Sequence, residues 1–150
     1  MSDELSPDRL VRILDGIETI ERSLGVLVKK RGATSRTAYK RDTDTQDIVE
    51  RRFVKMTESA LDIGTTIVIH EQGAPPSSNP ETMRLLNDLD VLSKELSDDM
   101  AAAARFRNVL AHTYGNAIDH DVVYDALYDL ERYRDFVVAV RDYLQSIDAL

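Results

Sequence analysis

Residues 6–32 read SPDRLVRILDGIETIERSLGVLVKKRG, and this stretch decides the fold. Ser6 and Pro7 favour a helix start, because serine caps free N–H groups and proline has no N–H to leave unpaired. Apolar residues then recur every three or four positions, as they do along one face of an α-helix: Leu10, Ile13, Leu14, Ile17, Ile20, Leu24, Leu27 and Val28. The stretch predicts a long amphipathic helix that ends at Gly32.

The same spacing continues along the rest of the chain. Four more helices are expected to begin at Thr43 (with Gln46 as its capping-box partner), at Asn79-Pro80, at Ser93 and at Asp119. The second ends at Gly73, the fourth runs towards Gly115, and the fifth carries an apolar stripe from Val123 to Leu144. No stretch alternates as a strand does. We predict an all-α, antiparallel bundle of about five helices, one domain over residues 1–150 with the bundle at about 8–146.

A basic connector joins the first two predicted helices. Residues 31–43, RGATSRTAYKRDT, hold four basic residues around Tyr39 in a chain that is otherwise acidic. Two interpretations stay open. The connector is either a solvated loop or a segment that follows a phosphate backbone and stacks one base on Tyr39.

Composition excludes several classes of function. The net charge is −8, so any contact with nucleic acid must be local rather than general. The chain has no cysteine, which rules out disulfides, thiolate metal sites and a cysteine nucleophile. Three histidines are too few and too scattered for a three-histidine zinc site. We expect no metal and no cofactor.

The chain also lacks the marks of a membrane or secreted protein. No apolar run approaches the roughly 20 residues of a membrane span. The acidic N-terminus has no apolar region of the kind that secretory signals carry. We expect a cytoplasmic protein with no membrane partner.

One cluster can carry chemistry. Residues 105–114, RFRNVLAHTY, place two arginines, an amide, an imidazole and a phenol at the end of the fourth predicted helix. An imidazole such as that of His112 can take a proton from a ribose 2′-hydroxyl or give one to the leaving oxygen. A guanidinium such as that of Arg107 can bind the phosphate and stabilise the charge of its transition state. Asn108 could orient the imidazole or the phosphate, and these are the residue types that metal-free RNA cleavage needs.

The spacing of this cluster favours a site between two chains. Arg107 and His112 are five residues apart, which separates them by roughly 140° on an ideal helix. A second copy of the helix across a two-fold axis would bring them together. A structural alternative stays open, because a histidine in the last turn of a helix also interacts well with the helix C-terminus.

These residues resemble a known family. Arg107-x4-His112-x-Tyr114, with the polar Asn108 after the arginine, resembles the R-x4-H-x-Y signature of HepT-like proteins in the HEPN superfamily. Residues 45–73 and 106–112 are also similar to that family, as is the proline-containing loop at 74–76, and the resemblance covers roughly residues 8–145.

The resemblance implies a helical homodimer whose paired arginines and histidines line one cleft. It implies the toxin of a type II toxin–antitoxin pair, a metal-independent endoribonuclease with Arg107 and His112 as its catalytic pair. Asn108 becomes a supporting residue. Tyr114 becomes the tyrosine that an MntA-like nucleotidyltransferase antitoxin adenylates, which would add negative charge beside the phosphate site. Apart from the resemblance, Arg105 is a candidate RNA contact, because an acidic chain would depend on its local arginines for RNA affinity.

Two other hypotheses make different predictions. A non-catalytic, helical partner of a minimal nucleotidyltransferase would bind nucleotide or RNA without cutting it. A purely structural dimer would lose nothing but stability when Arg107 or His112 is replaced.

Overall fold

The computed structural model describes residues 4–113 and 117–150, which form helices and no strand. Seven helices are present in these residues: α1 (Pro7–Ala33), α2 (Arg36–Tyr39), α3 (Thr43–Gln72), α4 (Asn79–Asp88), α5 (Lys94–His112), α6 (His120–Ala126) and α7 (Glu131–Ser146). The predicted all-α class is confirmed. The first helix ends one residue after Gly32, and the short helix α2 is an addition to the predicted set.

The four long helices α1, α3, α5 and α7 form the bundle, and α4 packs across α3 and α5. Helices α1 and α3 run antiparallel, since Arg12 pairs with Asp62 while Gly16, one turn later on α1, lies against Ser59 and Ile63. Of the eight residues of the predicted stripe, Leu14 is exposed, Leu10 and Val28 are half-buried, and five are buried: Ile13, Ile17, Ile20, Leu24 and Leu27. Burial of each such side chain contributes about 1.5–3 kcal/mol to folding, so this stripe holds α1 on the bundle.

Three predicted helix starts are confirmed by their hydrogen bonds. Ser6, Ser93 and Asp119 each accept a hydrogen bond from a backbone N–H two or three residues further along the chain. Gly73 ends α3 with a φ of 77°, a left-handed conformation that glycine adopts without steric cost.

Two predicted caps were wrong by one residue. Asp42, not Thr43, caps α3, and its carboxylate accepts from the Thr45 N–H at 3.1 Å. Ser78, not Asn79, caps α4. The physical reason is the same in both cases: Thr43 and Asn79 already have helical backbones, whereas an N-cap residue is extended.

The structure excludes the interpretation in which the basic connector stacks a base on Tyr39. Tyr39 is fully buried on α2, where its ring packs against the rings of Tyr124 and His120. It cannot stack a base. Arg36 and Lys40 flank it and form ion pairs with Asp121 on α6, so this part of the basic cluster joins α2 to α6.

The predicted fifth helix is two helices. α6 stops at Ala126 and α7 starts at Glu131, and the turn between them buries both Leu127 and Leu130. Arg31 of α1 donates a hydrogen bond to the Leu127 carbonyl at the C-terminal end of α6, 3.2 Å away. The turn contains neither glycine nor proline, so the sequence carried no strong breaker signal there.

Among the described residues, no helix combines the length and the apolarity that crossing a lipid bilayer requires.

Candidate active site

Packing against α3 fixes the rotation of α5 about its axis. Phe106 meets Phe53 of α3 edge to face, with ring centroids 5.5 Å apart, and Leu110 is buried one turn later. With these two side chains turned inwards, Arg105, Val109 and His112 are left exposed on the outer face. The core contacts of α5 therefore decide which of its polar residues can meet a ligand.

Arg107 lies beside α3. Its side chain is only 20% exposed, and its Nη2 donates to the carboxylate of Glu58. Its Nη1 donates to Oδ1 of Asn108 at 3.1 Å. The Nε atom is buried, and no described residue accepts a hydrogen bond from it. The guanidinium is thus held from two sides.

A groove of about 260 Å³ opens beside this guanidinium. It is lined by Arg107, by residues of α3 and by the start of α4: Glu58, Leu61, Asp62, Thr65 and Asn79. Two of these residues are carboxylates, and Arg12 binds one of them, Asp62, through both carboxylate oxygens at 2.8 and 2.9 Å. The groove therefore brings Arg107 to solvent in an acidic setting.

His112 is exposed in the last turn of α5. No hydrogen bond within the described residues joins its imidazole to Arg107 or to Asn108. The five-residue spacing turns the two side chains roughly 140° apart on the helix. A single chain therefore keeps the predicted catalytic pair apart.

Asn108 and Arg105 lie on the same side of α5 as His112. Asn108 is half-buried and contacts Arg107 directly, while it lies four residues from His112 and so faces the same side of α5. Arg105 is exposed on that side, seven residues before His112. Tyr114, the predicted site of adenylation, lies outside the described residues.

Glu58 is a residue that the sequence analysis missed. It lies on the exposed side of α3, 49 positions before Arg107, and no motif marks it. Only the packing of α5 on α3 reveals that it is the carboxylate nearest the guanidinium. A carboxylate one helix away gives no signal in a single sequence.

The described residues hold no group of three histidine, aspartate or glutamate side chains placed to bind a metal ion. The arrangement instead offers a guanidinium for an anion and an exposed imidazole for a proton. Together these groups suit acid–base chemistry at a phosphodiester.

Comparisons with known proteins identify the family of this chain. A family model described as ribonuclease HepT-like matches residues 13–140. The mRNA nuclease HepT of Shewanella oneidensis is 26% identical over 129 residues, which are 86% of this chain and 96% of that protein. The tRNA nuclease HepT of Aphanizomenon flos-aquae is 29% identical over 133 residues, which are 88% of this chain and 89% of that protein.

A solved structure gives the same result for the fold. The tri-AMPylated HEPN toxin of Shewanella oneidensis, in complex with an MNT antitoxin, superposes with a TM-score of 0.79 at 25% identity. The match covers 87% of this chain and 97% of that one. The HEPN-like fold and the ribonuclease class predicted for the family are confirmed, and the chain belongs to the ribonuclease HepT-like family.

Proposed function

We propose that this chain is the toxin of a toxin–antitoxin pair and cleaves RNA without a metal ion. The observation that carries the proposal is the position of Arg107 in the structure of this chain, which belongs to a family of ribonucleases. Its guanidinium is held by Asn108 beside a solvent-accessible groove, and an exposed imidazole ends the same helix. A substrate of cellular RNA implies that the protein works in the cytoplasm.

The proposed reaction is a transfer within the RNA. His112 takes the proton of a ribose 2′-hydroxyl, and the 2′-oxygen attacks the adjacent phosphorus. The bond from phosphorus to the 5′-oxygen breaks, and that oxygen receives a proton from the imidazolium of His112. The products are a 2′,3′-cyclic phosphate and a 5′-hydroxyl. Arg107 stabilises the charge on the phosphate in the transition state, Asn108 orients Arg107, and Arg105 contacts a neighbouring phosphate.

The proposed site needs two copies of the chain. Arg107 and His112 diverge on one helix, and a two-fold axis beside α5 would place the arginine of one copy near the histidine of the other. Both the exposed face of α5 around His112 and the groove beside Arg107 would line this interface, so that each histidine meets the arginine of the other copy.

The proposed partner is a nucleotidyltransferase antitoxin. The similar HEPN toxin of Shewanella oneidensis is tri-AMPylated and is bound to an MNT antitoxin. We propose that Tyr114, two residues after His112, is the acceptor here. An adenylate at this position would place negative charge and bulk beside the phosphate site, so RNA would be excluded.

The test of this function is cleavage of total RNA and of tRNA in EDTA by the purified chain, with His112→Ala and Arg107→Ala purified alongside. Intact-mass analysis first selects protein without adenylate. We expect cleavage by the parent and a loss of at least about 100-fold in each variant. Unchanged cleavage by His112→Ala would contradict the mechanism. RNA binding that depends on Arg107, with no cleavage by unmodified parent, would favour a non-catalytic binding partner.

A further inference from the structure

The ion pair between Glu58 and Arg107 occupies the group on which the proposed reaction depends. Glu58 is half-exposed and lies at the meeting point of three grooves, of about 260, 430 and 690 Å³. Among the described residues, Arg107 is the only cation within ion-pair distance of Glu58. The contact joins α3 to α5 at the point where a phosphate would have to bind.

A carboxylate and a phosphate compete for the same guanidinium donors. Arginine binds both through two parallel N–H bonds at one edge of its planar group. In this chain, Glu58 takes a donor at Nη2, Asn108 takes one at Nη1, and Nε is buried. While Glu58 stays in place, a phosphate therefore cannot form two parallel N–H bonds at the edge of the guanidinium that Glu58 occupies.

The neighbouring carboxylate does not provide the same contact. Asp62 lines the same groove, but both of its oxygens are bound by Arg12. Its charge is offset within that pair, so the charge that opposes an incoming phosphate comes mainly from Glu58. The inhibiting contact can thus be assigned to one residue.

The side chain of Glu58 has an alternative position near Lys55. Lys55 lies three residues earlier on α3, an ordinary spacing for an ion pair on a helix. Both residues line the larger grooves of about 430 and 690 Å³. The side chain of Glu58 can therefore turn from Arg107 towards Lys55 and solvent without any change in the backbone.

We propose that Glu58 is a built-in substitute for the substrate phosphate: it occupies Arg107 in the free chain, and RNA binds by displacing it. This inference rests on the proposed function, since it assumes that Arg107 binds phosphate. It makes Glu58 a residue that weakens RNA binding, in contrast to Asn108, which supports it.

The test compares two substitutions that each remove one negative charge. Glu58→Gln removes the competing charge, and Glu21→Gln is its matched control. Glu21 is also about half-exposed and also pairs with an arginine of a neighbouring helix, Arg141 of α7, at 3.0 Å. Binding is measured by fluorescence anisotropy with a short single-stranded RNA whose riboses are 2′-O-methylated. The blocked hydroxyl cannot attack, so the probe stays intact.

We expect Glu58→Gln to bind this RNA roughly two- to tenfold more tightly than Glu21→Gln does. Adding Arg107→Gln to Glu58→Gln should abolish the gain. The inference is overturned if Glu58→Gln binds no more tightly than the control, or more weakly, because Glu58 would then position Arg107. It is also overturned if the gain survives the loss of Arg107. The proposed function fails separately, through absent cleavage, because this binding assay needs none.

Discussion

At the scale of single residues, the sequence could predict chemistry but not contacts. Arg107, Asn108 and His112 were identified from residue type and spacing, and the structure places all three on one helix. Glu58 could not be predicted, because its meeting with Arg107 depends on how α3 and α5 pack. The interpretation of Tyr39 as a base-stacking residue was wrong for a related reason. It lies among basic residues in the sequence, but its ring fills a space in the core that only the fold defines.

A buried hydroxyl pair gives a residue-scale prediction of stability. The hydroxyls of Thr57 and Tyr133 are 2.6 Å apart between α3 and α7, and both side chains are buried. Tyr133→Phe leaves the threonine hydroxyl without this partner, so the free energy of unfolding at neutral pH should fall by about 1–3 kcal/mol. Urea denaturation measures this change. Tyr128→Phe, at a tyrosine that is 62% exposed, is the control and should change stability much less.

The same tyrosine predicts sensitivity to alkaline pH. Burial raises the pKa of Tyr133 above its usual value near 10, because the folded chain disfavours the charged phenolate. The folded state therefore binds the phenolic proton more tightly than the unfolded state does. The stability linked to this group is complete below about pH 10 and is lost as pH rises towards the folded pKa. Unfolding measured across alkaline pH should show a shallower decline in Tyr133→Phe than in the parent; equal declines would contradict this assignment.

At the scale of helices, periodicity predicted the elements and local hydrogen bonds decided their ends. The long apolar stripes of α1 and α3 were sufficient to place both helices. The break between α6 and α7 was missed, because the turn is stabilised by burial of Leu127 and Leu130 and contains no glycine or proline that would predict it. Where two adjacent residues could each cap a helix, the sequence could not choose between them.

Two glycines within helices should respond in opposite directions to alanine. A Cβ on Gly64 would lie 2.8 Å from Cγ2 of Thr82 on α4, so Gly64→Ala should destabilise the chain by about 1–3 kcal/mol. A Cβ on Gly25 would meet nothing within 4 Å. Gly25→Ala should therefore stabilise α1 by about 0.5–1 kcal/mol, since alanine is the better helix former. Urea denaturation of the two variants measures both changes in the free energy of unfolding. A Gly64→Ala variant as stable as the parent would show that α4 can move aside.

At the scale of the whole molecule, the acidic charge means that the proposed RNA substrate would have to be bound through a few local cations. The net charge of −8 favours no general contact with a phosphate backbone. Arg36 and Lys40 of the basic connector pair with Asp121 on α6, and the proposed RNA contacts are Arg105 and Arg107 of α5. The sequence predicted the bundle and the family, but the proposed pairing of Arg107 with His112 requires a second chain, and the contacts between two chains cannot be predicted from one sequence.

The central claim is that one ribonuclease site combines Arg107 of one copy with His112 of another. Its most direct test is to unfold Arg107→Ala and His112→Ala together, refold the mixture, and measure RNA cleavage in EDTA, with each variant refolded alone as control. Native mass spectrometry confirms that mixed dimers have formed. We expect that neither variant cleaves RNA alone and that the mixture does, because a mixed dimer contains one intact site. A mixture of confirmed mixed dimers that is as inactive as its components, while refolded parent cleaves RNA, would contradict the claim.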